Sequence, residues 1–149
     1  MSKKLKYLVV HCTATPAGRE VTKADIEKWH LQERGWSKVG YSDMIHLDGS
    51  LENLIPFDQD DEVDQWEISN GAAGYNSISR HVVYVGGLNG DTRTEAQKKT
   101  LQTYIQYMLL RHPDIKVIGH NEVSTKSCPS FSVEQFCKSF GVECKNLNP

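Results

Sequence analysis

Lys6-Tyr7-Leu8-Val9-Val10-His11 and Ile115-Lys116-Val117-Ile118-Gly119-His120 are two short apolar runs, far apart in the chain, that each deliver a histidine. The first is dense in β-branched and aromatic residues and runs into the Thr/Pro/Gly cluster at 13–18, the pattern of a buried strand passing into a loop. The second repeats that arrangement. His11 and His120 are therefore placed at the C-terminal ends of strands, and if those strands lie close in one sheet both imidazoles emerge at the same edge.

Outward from these runs, Thr22 and Asp25 form a capping-box pattern ahead of Ile26, Trp29 and Leu31, with Gly35 as a stop. This predicts a helix over about 22–34 that turns Trp29 inward. Tyr41 to Leu47 and Ser50 to Ile55 flank Asp48-Gly49, a dipeptide suited to a tight hairpin turn. The stretch 56–76 is acidic first and then Gly/Ala/Asn-rich, and reads as a long surface loop. Arg80 to Val85 is a further strand, closed by Gly86-Gly87. Thr92 with Glu95 gives a second capping box, and Leu101, Tyr104, Ile105, Met108 and Leu109 recur at helical spacing, which predicts a helix over about 94–112. Ser132 with Gln135 caps a last helix carrying Val133, Phe136, Cys137 and Phe140, stopped by Gly141. Strands alternating with helices, plus a hairpin, predict an α/β fold, a mixed central β-sheet with helices packed on it. A single domain over 1–149 is expected, with its core at about 5–141 and a short C-terminal tail at 142–149.

The bulk composition narrows the partners. A chain of 149 residues with 38% hydrophobic and 24% charged residues has an ordinary globular balance, and no stretch approaches the roughly 20 apolar residues of a membrane span. A net charge of -2 with 17 basic residues spread along the chain gives no positive field for nucleic acid. The basic N-terminus has too short an apolar run and no small-residue cleavage site for a signal peptide, so a cytoplasmic location as synthesised is expected. Four cysteines are too few for a disulfide scaffold, and reduced thiols are expected in that compartment. Cys12 reads as a buried thiol on the face opposite His11, and Cys137 as core; Cys144, near the polar C-terminus, could pair with Cys137, but a reducing compartment disfavours that bond. His30, His46, His81 and His112 read as structural or surface residues. His112 suits the helix dipole at the end of the long helix. His81 could point toward the site from its strand, outside the ligand set.

Catalytic zinc sites take three protein ligands from His, Cys and carboxylates and keep a fourth position open. His11, His120 and Cys128 can supply that set. Cys128 follows His120 through the polar segment 121–127, which can fold the thiolate back beside the imidazole, and Pro129 would stiffen the return. On spacing alone the plainer reading stands beside this one: strand-end histidines satisfied by ordinary polar contacts, a packed Tyr41 ring and a solvated Lys126.

The segments Val9-Val10-His11-Cys12-Thr13-Ala14-Thr15, Ile26-Glu27-Lys28-Trp29-His30, Gly35 to Tyr41, Gly74-Tyr75-Asn76 and His120 to Phe131 resemble the N-acetylmuramoyl-L-alanine amidases of the type 2 group. The likeness is strongest to the small phage amidases known as lysozymes and extends to animal peptidoglycan recognition proteins. No one segment is specific, but together they stand in the family's order from Val9 to Phe131. The resemblance implies one zinc ion held by His11, His120 and Cys128, with Tyr41 and Lys126 catalytic. It implies hydrolysis of the amide between the muramic acid lactyl group and L-alanine in bacterial peptidoglycan or muropeptides, in the manner of a phage endolysin that something else releases to the wall.

That assignment suits amide hydrolysis. Zinc lowers the pKa of bound water to about 7 and polarises the carbonyl. Lys126 can hold the developing oxyanion, and the Tyr41 hydroxyl can orient the water or donate to the same oxygen. The alternative is a module of the same fold that binds peptidoglycan without cutting it, but such members commonly lack the metal cysteine, and here it is present. Some phage amidases also bind their phage's RNA polymerase, a partner that no residue here assigns. One departure stands out: where some phage relatives carry a histidine ahead of the Gly-Tyr-Asn segment, this chain has Gly71.

Overall fold

A computed structural model describes residues 2–144. Its strands are β1 (Lys3–Lys4), β2 (Tyr7–Cys12), β3 (Asp43–Ile45), β4 (Leu51–Asn53), β5 (Glu62–Val63), β6 (Ser79–Tyr84) and β7 (Lys116–Gly119). Its α-helices are α1 (Lys23–Glu27), α2 (Glu95–Arg111) and α3 (Val133–Ser139). The main sheet has the order β4-β3-β6-β2-β7. Strand β2 runs parallel to both β6 and β7, β6 runs parallel to β3, and β3 closes an antiparallel hairpin with β4. Strands β1 and β5 form a separate antiparallel pair. This is the mixed α/β sheet expected from the sequence.

Because β2 lies inside the sheet between β6 and β7 and runs parallel to both, it is covered on both faces, which is why its sequence is almost continuously apolar. Leu8, Val10 and Cys12 join Val82 and Tyr84 of β6 in a core completed by Leu101, Ile105 and Met108 of α2 and by Val133 and Cys137 of α3. On the opposite face Val21, Ile26, Met44 and Val83 make a smaller core under α1. Alternation along the strands puts Val9 and His11 of β2, with His81 and Val83 of β6, on this second face.

Thr22 caps α1 through the expected capping box with Asp25, and the helix continues as a π-helical segment, Lys28–Glu33, so the predicted 22–34 stretch is helical but not uniformly α. Trp29 packs on the second core while half-buried. The hairpin turns where expected, with Gly49 at φ 87°, although its strands are shorter than predicted. The second capping box lies two residues later than expected. Thr94 and Gln97 form it, because the Thr92 hydroxyl instead accepts the Gly87 N–H at 2.7 Å. The long loop contains β5 and is tied down from within: the buried Glu67 carboxylate accepts the N–H groups of Asp58 at 2.9 Å and Asp64 at 2.8 Å.

The expectation of reduced thiols at 137 and 144 is corrected. Cys137 and Cys144 are joined by a disulfide. Gly141, at φ 76°, reverses the chain after α3 and brings Cys144 back beneath the helix. There Cys144 is buried, and its carbonyl accepts the Val117 N–H at 2.9 Å. Packing thus continues past 141 into the expected tail, whose residues 145–149 lie outside the described residues. Among the described residues no helix is long and apolar enough to cross a membrane.

Candidate active site

The sheet register brings the two strand-end histidines together. Val10 pairs with Gly119, so His11 on β2 and His120, just past β7, stand side by side with ring centroids 4.7 Å apart. The polar loop after His120 folds back as expected. It places the Cys128 sulfur 3.9 Å from Nδ1 of His11, where it also accepts the backbone N–H of Cys12 at 3.1 Å. The Tyr84 hydroxyl donates to the Pro129 carbonyl at 2.6 Å and anchors the far side of this return. One nitrogen from each histidine and the Cys128 sulfur all lie within 4.8 Å of one another. Tetrahedral zinc, with bonds of about 2.0–2.3 Å to nitrogen and sulfur, needs its ligands about 3.5 Å apart, so small side-chain movements close this set around an ion. Two imidazoles and a thiol are also a donor set that zinc favours. Burial, with His81 and His120 nearby, pushes His11 well below the ordinary histidine range, and burial with Lys126 lowers His120. Both rings are therefore neutral and have a lone pair to give. Hydrogen bonding to Cys12 and burial push the Cys128 thiol up, an opposition that a cation replacing the proton relieves.

Tyr41 and Lys126 both reach this centre. The Tyr41 ring lies 5.4 Å from the His11 ring, and burial pushes its hydroxyl up, so the phenol stays protonated and able to donate. Lys126 is exposed on the returning loop. It lines both a small cavity of about 130 Å³ over His11, His120 and Cys128 and an adjoining groove of about 900 Å³ walled by Leu88, Asn89, Asn121 and Phe131. A separate apolar depression of about 660 Å³ beside Phe57, Tyr104 and Tyr107 holds none of these donors.

Residues 1–131 match the family model described as N-acetylmuramoyl-L-alanine amidase. The chain belongs to that amidase family. It is 32% identical over 139 residues to an endolysin of Klebsiella phage KP32, covering 90% of this chain and 86% of the phage protein. The fold is that of the amidase LysC from Clostridium intestinale, with a TM-score of 0.76 at 22% identity over 94% of this chain and 87% of that one. Drosophila PGRP-LB, solved in complex with tracheal cytotoxin, has a TM-score of 0.71 at 20% identity over 95% and 86%. The protein is accordingly an amide hydrolase of the N-acetylmuramoyl-L-alanine amidase type.

Within the amidase centre, two histidines matter more than their sequence context indicated. His30 is buried; its Nδ1 accepts the Gly40 N–H at 2.8 Å, and its ring packs 5.1 Å from that of Tyr41. Burial holds His30 down to about 4, which keeps Nδ1 a free acceptor and fixes the backbone just ahead of Tyr41. His81 does point into the site: its Nδ1 lies 2.9 Å from Nε2 of His11, and burial lowers it to about 3. The space beside Gly71 is filled by this ring, because a Cβ at Gly71 would lie 2.5 Å from Nδ1 of His81 and 2.5 Å from the Gly40 carbonyl. An imidazole thus stands next to position 71 after all, supplied by a strand. Cys12 lies on the face opposite His11 as expected and is buried, but it also borders the cavity and grips the Cys128 sulfur through its N–H.

Proposed function

We propose that the whole chain acts as one amidase domain that uses a single zinc ion on His11, His120 and Cys128 to cut the amide between the muramic acid lactyl group and L-alanine of peptidoglycan or its muropeptide fragments. The observation that carries this reading is the meeting of those three donors, His11 on β2, His120 just past the adjacent parallel β7 and Cys128 on the returning loop, in a cavity that Tyr41 and Lys126 also line. Zinc bound there supplies a Lewis acid for the scissile carbonyl and lowers the pKa of the attacking water.

The chain's own groups do the rest. Tyr41, kept protonated by its burial, donates a hydrogen bond toward the oxygen that gains charge. Lys126, at the junction of cavity and groove, faces that oxygen with a cation from the solvent side. Asn89 and Asn121 offer polar edges along the groove, which adjoins the cavity through Cys12, Ala14, Lys126 and Cys128 and gives a glycan or peptide arm a path to it. The kinship with phage endolysins supports an endolysin role: synthesis in the cytoplasm, then action on the wall once released.

The product identifies the reaction. Digestion of purified peptidoglycan is expected to release new L-alanine amino termini in step with clearing, without new reducing sugar ends. Clearing that instead generates reducing ends, or amino termini other than L-alanine, would overturn the assignment.

A further inference from the structure

We infer that His81 is a positioning residue of the metal centre: its Nδ1 accepts the Nε2–H of His11 and so fixes the ring orientation and tautomer that leave Nδ1 of His11 free to ligate. The inference rests on the metal reading above and adds a residue outside the ligand set.

Three observations carry it. The two nitrogens are 2.9 Å apart between side chains that are 1% and 0% exposed, so no bulk water competes for the contact. Nε2 of His81 has no hydrogen-bond partner among the described residues, so the ring's polar pairing is directed at His11 alone. The ring is also held in place. Its backbone N–H donates to the Ser42 hydroxyl at 3.0 Å, its carbonyl accepts the Ser42 N–H at 2.7 Å, and the bare backbone of Gly71 closes over Nδ1 and Cγ.

Chemistry then sets the direction of the hydrogen bond. The Cys128 sulfur approaches His11 on its Nδ1 side, so Nδ1 is the ligating atom and must carry a lone pair. A neutral imidazole with a lone pair on Nδ1 has its proton on Nε2, and Nδ1 of His81 is the acceptor that this proton meets. The reverse arrangement, with His81 donating, places the His11 proton on the ligating nitrogen and blocks the metal. Metal-bound histidines ordinarily have such a partner on the second nitrogen. Here a second imidazole on the neighbouring strand takes that place, and a glycine at 71 makes the room.

The test has two arms. In zinc-loaded wild type, nitrogen-detected NMR of the imidazoles is expected to show His11 protonated at Nε2 and His81 unprotonated at Nδ1; a proton on Nδ1 of His81 would overturn the inference without any variant. By chelator competition, His81→Leu is expected to weaken zinc binding about 10- to 100-fold, whereas His81→Asn, whose amide oxygen can stand where Nδ1 stood, recovers most of the loss. Undiminished affinity in His81→Leu, or equal losses in both variants, overturns the inference alone. A wild type that takes up no zinc overturns the metal reading and this inference with it.

Discussion

The Cys128 sulfur accepts the backbone N–H of Cys12 at 3.1 Å, a contact between residues 116 positions apart in sequence. It ties the returning loop to the end of β2, one residue past His11, so the strand that presents the first histidine also sets the position of the sulfur. The remaining cysteines, Cys137 and Cys144, are already paired. Thiol titration of the unfolded, unreduced protein is therefore expected to count two groups, Cys12 and Cys128. Reduction is expected to cost about 2–3 kcal/mol of stability, the scale for a short closed loop. Four reactive thiols before reduction would contradict the pairing.

Tyr41→Phe and Lys126→Ala are expected to lower turnover about 100-fold or more, in the range seen when a proton donor or an oxyanion partner is removed. Zinc content is expected to stay at one per chain, since neither side chain belongs to the donor set. Metal analysis beside the peptidoglycan assay checks both at once, and loss of zinc in either variant would show that its role is misassigned.

Gly71→Ala forces a methyl group to within 2.5 Å of both the Gly40 carbonyl and the His81 ring. Overpacking of this kind costs about 1–3 kcal/mol. Urea unfolding of the metal-free variant should show that loss, and a stability equal to wild type would mean that the space beside His81 is more open than the structure has it.

His30 gives stability a pH dependence with a definite sign. An unfolded histidine takes its proton near pH 6.5, but burial holds folded His30 down to about 4. Between those values the unfolded chain binds more protons, so stability is fully present above about pH 6.5 and falls as pH drops toward 4, by up to about 1.4 kcal/mol per pH unit for this group. In His30→Asn, which keeps an acceptor for the Gly40 N–H, the slope over that window should be smaller. An unchanged slope would remove His30 as its source.

The features of the fold and site that are legible in the sequence are those that depend on local pattern. Lys6 to His11 and Ile115 to His120 announced two strands ending in histidines, and the Thr22–Asp25 and Ser132–Gln135 signals marked helix starts, because side-chain caps act over three residues. The second capping box slipped because Thr92 and Thr94 each have a polar residue three positions on, and only the tertiary contact of Thr92 with Gly87 decides between them. The orientation of His81 depends on the β2–β6 register, which sequence periodicity leaves open. His30 became a buried acceptor through Gly40, ten residues away. The Cys137–Cys144 bond depends on the reversal at Gly141, a tertiary feature that cysteine count and compartment do not contain.

The central claim is that His11, His120 and Cys128 hold the metal on which hydrolysis depends. The most direct test measures zinc content and peptidoglycan turnover together for wild type, chelator-treated and zinc-restored protein, and Cys128→Ala. Wild type is expected to hold one zinc per chain, to lose metal and turnover together on chelation and to recover both on adding zinc, whereas Cys128→Ala is expected to show neither. Turnover that persists in chelated protein and in Cys128→Ala would contradict it.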